Sequence, residues 1–238
     1  MTCILQDYRK DNCGNCTKLC THRVALHGLN GDGGRTLNAN IPKDYRYVTL
    51  NNSPVRESQA KIYALLDRYV QTFKRKDGDI KSLYLWSESP GTGKTTTAVA
   101  LLNAYISTEY LTSLSEGKQP YLSGAYFLDV NEFQTQYNLA TMTNDDEGMR
   151  RIKGEIKRTQ DARFAVLDDI GVRTSSEAFR AYVHAIINHR TTNGLPTVYT
   201  SNLEITDMAD VFDERLYDRM RDQCAVIFFD GTSKRGRR

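Results

Sequence analysis

Apolar residues in this chain fall into two patterns. Short, nearly continuous runs occur at 83–86 (Leu-Tyr-Leu-Trp), 125–130, 163–167, 195–199 and 224–229. Runs of this length between polar or Gly/Pro-containing segments predict buried strands. Between them the apolar positions recur every three or four residues: Ala98–Leu102 as a compact block, then Phe179, Tyr182, Val183, Ile186 and Ile187, then 208–221. That spacing predicts amphipathic helices. Upstream, Ile62, Leu65, Leu66, Tyr69, Val70 and Phe73 predict another, with Ser53 as its N-cap and Pro54 in the first turn. Residues 131–160 are polar and mixed in charge, with helix expected over their second half. Strand and helix thus alternate over 83–229, which predicts a parallel α/β sheet flanked by helices.

Ahead of this core the composition changes. Cysteines 3, 13, 16 and 20 crowd the first twenty residues, followed by a Gly-rich loop at 28–34 and an extended connector at 41–48. The expected organisation is a Cys-rich unit at 1–40, a linker at 41–52 and the α/β domain at 53–238. In a reducing compartment such a cluster reads as a metal site rather than disulfides. Zn²⁺ takes four N or S ligands tetrahedrally. Cys13, Cys16 and Cys20 supply three; the fourth is Cys3, with His22 or His27 as alternatives. On a continuous helix His27 would stand roughly 10 Å along the axis from Cys20, which favours Cys3. Reduced thiols or an iron–sulfur cluster use the same residues.

Charge adds little. The 238 residues carry a formal net charge of +3, which permits nucleic-acid contact without arguing for it. Basic residues concentrate in the last five positions (Lys234, Arg235, Arg237, Arg238). No apolar run is long enough for a membrane span and no signal-peptide pattern opens the chain, so the expected location is the cytoplasm.

The chemistry sits where a strand ends. Ser89-Pro90-Gly91-Thr92-Gly93-Lys94-Thr95-Thr96 lies between the run at 83–86 and a helix. Strand, glycine-rich turn and helix form the context of a phosphate-binding loop. Backbone N–H groups and the helix N-terminus would cradle phosphates, Lys94 would reach the β- and γ-phosphates of ATP, and the Thr95 hydroxyl would ligate Mg²⁺. The usual opening glycine is replaced by Glu88. A second strand ends in Asp168-Asp169, at the edge where open α/β sheets bind ligands. Asp168 fits the Mg²⁺-holding role and Asp169 the orientation of an attacking water.

Together, Pro90–Thr95, Val166-Leu-Asp-Asp-Ile-Gly171, Thr200-Ser-Asn-Leu203, Glu214-Arg-Leu-Tyr-Asp-Arg-Met220 and Gly231-Thr-Ser-Lys-Arg235 resemble the AAA+ ATPases that load the replicative helicase, the DnaC/DnaI group. Phage-encoded members are the most similar in the Cys-rich start and the connector. The resemblance implies an AAA+ P-loop core, ATP hydrolysis, a DnaB-type hexameric helicase held through residues 1–40, and single-stranded DNA bound by the core. It implies that Asn202 is the sensor-1 residue and Arg235 sensor 2. Arg219, with Arg215 one turn earlier as second candidate, matches an arginine finger acting in trans, which needs head-to-tail subunits in a ring or spiral. The competing readings are an IstB-like transposition ATPase and a zinc- and nucleotide-binding DNA adaptor that does not hydrolyse ATP.

Overall fold

The computed structural model describes residues 3–8, 13, 17–74, 80–171, 176–231 and 233. Cys16 and Arg235 lie outside these. Two compact units are present: residues 1–80 with 96–127, and residues 81–95 with 128–238.

The first unit holds α1 (Thr21–His27), α2 (Gly34–Asn38) and α3 (Ala60–Tyr69), which runs on into a 3-10 turn at Val70–Lys74. Most of α4 (Lys94–Ser115) also lies here. Residues 98–102 of α4 are all fully buried, as expected of a helix that is apolar on every side. The Gly-rich passage is less open than a loop. Gly34 starts α2 with φ +65°, and a Cβ there would lie 2.5 Å from the Leu26 carbonyl carbon. Arg35 anchors this corner, donating to the carbonyls of Ala25, Pro120 and Tyr121.

Two expectations are corrected here. Ser53 does not cap a helix, because its hydroxyl is spent on Tyr63 Oη at 2.6 Å, and regular helix begins only at Ala60. The buried stripe of α3 is Tyr63, Leu66 and Val70, while Leu65 is half exposed. Tyr63 Oη also bonds Thr97 Oγ1 at 2.9 Å, and that pair rotates the helix from the face its apolar spacing suggested.

Five strands form one sheet: β1 (Ser82–Trp86), β2 (Ala125–Asp129), β3 (Phe164–Asp168), β4 (Thr197–Ser201) and β5 (Cys224–Phe228). Their order is β2-β3-β4-β1-β5. β4 is parallel to both β1 and β3, and β5 is parallel to β1. All five strands stand where the apolar runs predicted them. β3 and β4 are buried at every position, the mark of central parallel strands. At the β2 edge, Phe127 N–H donates to the Ala39 carbonyl and Asn40 Nδ2 donates back to the Phe127 carbonyl, which blunts that edge.

The second unit's helices are α5 (Val130–Met142), α6 (Asp146–Asp161), α7 (Glu177–Thr192), α8 (Met208–Val211) and α9 (Glu214–Gln223). Residues 131–160 are therefore two helices, not one. Asp129 and Asp145 cap them by accepting from Glu132 N–H and Glu147 N–H. The helix expected over 208–221 is broken, because Asp213 caps a new start through Leu216 N–H. No helix among the described residues is long and apolar enough to cross a membrane.

Candidate nucleotide site

The site assembles at the C-terminal ends of β1, β3 and β4. Ser87 follows β1 and stays in the ladder, its N–H donating to the Ser201 carbonyl. The chain then turns through Gly91 (φ +77°) and Gly93 (φ +102°) into α4. These left-handed positions let successive N–H groups face inward. Glu88 is exposed and is not among the residues with positive φ, so the absent first glycine costs this turn no strain. Thr92 is buried and its hydroxyl has no partner.

Four of the expected residues meet directly. Thr95 Oγ1 donates to Asp168 Oδ2 at 3.1 Å, and Lys94 Nζ donates to Asn202 Oδ1 at 2.8 Å and to the Ser89 carbonyl at 3.2 Å. Asp169 joins them through Asn202 Nδ2 at 3.3 Å. It sits at φ +59°, a conformation uncommon for a residue with a side chain and frequent where function demands it. Its N–H donates to Thr200 Oγ1 at 2.8 Å. That same hydroxyl donates to Asp168 Oδ1 at 2.6 Å, so Thr200 aligns both carboxylates.

Burial pushes the Asp168 carboxyl up to about 6, with the charges of Asp129 and Asp169 adding to the effect and the Thr200 and Thr95 hydroxyls opposing it. A buried acid beside other carboxylates calls for a cation. Thr95 and Asp168 present two adjacent oxygens for one, and the glycine turn with Lys94 suits a polyphosphate. The residues present thus fit Mg²⁺ and ATP.

Two members of the site carried no motif. Thr200 lay in the polar end of β4 without an assigned role. Asn131, in the first turn of α5, donates from Nδ2 to Asp169 Oδ2 at 2.6 Å. Its position two residues after the β2 run was the only available signal.

Other expected residues are placed differently. Arg219 is not at the cluster: its guanidinium bonds Asn188 Oδ1 and, at 3.0 Å, Thr192 Oγ1, both on α7. Arg215 is exposed. Among the described residues no group of three or more His, Cys, Asp or Glu could hold a metal ion, so Cys3, Cys13 and Cys20 do not build the expected zinc site there. His27 is excluded as the fourth ligand by its own bonds. It is fully buried, its Nε2 accepts the Ile4 N–H, and its Nδ1 faces Thr36 Oγ1. Burial, with Arg23 and Arg46 nearby, lowers its pKa to about 4; it is a neutral core residue. His22 is engaged at Nδ1 by Tyr110 Oη.

This arrangement has known counterparts. The chain is similar to the DnaC helicase loaders. The replicative helicase loader DnaC of Escherichia coli K12 is 26% identical over 165 residues, covering 69% of this chain and 59% of that protein. The chain therefore spans less than two thirds of the length of the curated relatives it matches. The crystal structure of the DnaC helicase loader superposes with a TM-score of 0.57 at 22% identity, over 79% of this chain and 100% of that one. DnaI gives 0.57 at 20% identity, over 80% and 95%. The shared fold is the AAA+ type of α/β fold. No protein-family model matches the chain.

Proposed function

We propose that this chain is an ATP-dependent loader that places a DnaB-type replicative helicase on single-stranded DNA, with its nucleotide state as the switch. The observation that carries the reading is the convergence of Lys94, Thr95, Asp168, Asp169 and Asn202 at one sheet edge, in a chain similar to DnaC over 69% of its length. The backbone from Ser89 to Thr96 would wrap the phosphates, with Lys94 leaving Asn202 to meet their charge. Thr95 and Asp168 would hold Mg²⁺, which neutralises phosphate charge when bound. Asp169 and Asn202 would orient the attacking water. Phosphoryl transfer is helped by an arginine supplied in trans. Arg219 would serve after leaving Asn188 and Thr192, which makes a ring or spiral part of the proposal.

The test is co-elution of the purified chain with its host's replicative helicase in ATP, in ADP and without nucleotide. A nucleotide-dependent complex that weakens in Lys94→Ala is expected. No association in any state, with the chain folded, would sink the reading.

A further inference from the structure

A cavity of about 360 Å³ opens within the unit formed by residues 1–80 and 96–127, and none of its lining belongs to the nucleotide site. Ile4 and Asp7 line it from the N-terminal turn, Leu50 from the connector, Val70 from the end of α3, and Asn103 and Ala104 from α4. Its size is that of a small-ligand pocket.

Asn103 is fully buried. Its Nδ2 donates to the carbonyls of Tyr45 at 3.2 Å and Val48 at 2.8 Å, which settles the orientation of the amide. The remaining atom, Oδ1, has no hydrogen-bond partner. A buried acceptor left unpaired is costly, so this oxygen calls for a donor. Asp7 is half-buried, and among the described residues no hydrogen bond or ion pair to its carboxylate is recorded. Asp67, also in the lining, is already held by both terminal nitrogens of Arg56 at 3.1 and 2.7 Å. The unmet demand in the cavity is therefore for N–H donors carrying positive charge. Lys74 does not meet it: that side chain is exposed and donates to Gln71 Oε1. Ile4, Leu50, Val70 and Ala104 offer aliphatic wall for a methylene stem.

We propose that this cavity binds a small organic cation, an ammonium or guanidinium group on a short alkyl chain. The cationic head pairs with Asp7 and donates to Asn103 Oδ1, and the stem lies on the aliphatic wall. Agmatine is the probe, titrated into the full chain by calorimetry and by NMR of side-chain amides, with pentan-1-ol as neutral control. Saturable one-to-one binding is expected, with a shift of the Asn103 amide resonance. Asp7→Asn should weaken it at least tenfold. Ala104→Leu, which fills the cavity, should abolish it even if Asp7→Asn proves unstable. No saturable binding, equal affinity in either variant, or equal binding of pentan-1-ol would overturn the proposal.

Discussion

Asn131 donates to Asp169 across 2.6 Å, while Asn202 holds the other carboxylate oxygen at 3.3 Å. Both oxygens of the carboxylate proposed to orient water are therefore occupied by amides. A hydrogen bond to a charged group is worth about 1.5–3 kcal/mol, and 1.4 kcal/mol is about tenfold in rate. Removing the closer amide should make Asp169 a freer base. Asn131→Ala is expected to raise ATP turnover by the isolated chain by about tenfold, with nucleotide affinity little changed. Turnover at or below the wild-type rate would show that Asn131 helps the chemistry instead of restraining it.

Asp168 links pH to stability. Its carboxyl titrates near 6 in the folded chain, above its ordinary value of 3.8, chiefly because it is buried. The folded state holds this proton more tightly than the unfolded state does. The stability it contributes is complete below pH ~4 and lost as pH rises through 6. Asp168→Asn removes the buried charge, so the ligand-free variant should melt higher than wild type at pH 7.5, by the equivalent of at most ~3 kcal/mol. The gap should close near pH 4. Mg²⁺-dependent stabilisation by ATP should disappear in the same variant. A melting difference that is equal at both pH values would refute the burial argument.

The parts of the site legible in the sequence are those encoded by local order. The glycine turn after β1, Asp168-Asp169 after β3 and Asn202 after β4 each follow an apolar run, and a parallel sheet brings such ends together. Asn131 was not legible, because it stands 38 residues from Asp169 in the chain and meets it only through the strand order β2-β3, which no local pattern specifies. The first half of 131–160 was missed for a related reason. α5 buries Val130, Phe133, Tyr137 and Ala140, about one apolar contact per turn, too sparse to stand out among polar neighbours. Ser53 and His27 show the opposite failure. Each has a residue type suited to one local role, a helix cap or a metal ligand. Tertiary partners, Tyr63 in one case and Ile4 with Thr36 in the other, claim the side chain first.

Arg190 supports the site from below. It is fully buried on α7, where its guanidinium donates to the carbonyls of Thr159, Ala162 and Pro196 at 2.6–2.9 Å and to Thr197 Oγ1 at 2.8 Å. Those acceptors lie at the end of α6, just before β3 and at the start of β4. One planar, five-donor group thus joins the entries of the two strands that deliver Asp168 and Asn202. Arg190→Met keeps the aliphatic stem but leaves several buried carbonyls without donors. Each costs about 1–3 kcal/mol, and a total on the order of 3–5 kcal/mol is expected as a lower urea midpoint. Arg190→Lys has one charged nitrogen and cannot reach both strand entries, so it should recover less than half of the loss. Because the register of β3 against β4 depends on this fork, the folded fraction of either variant should also bind Mg–ATP more weakly. A variant of normal midpoint and normal affinity would mean that the carbonyls find water, and that the fork does not set the spacing of the carboxylates.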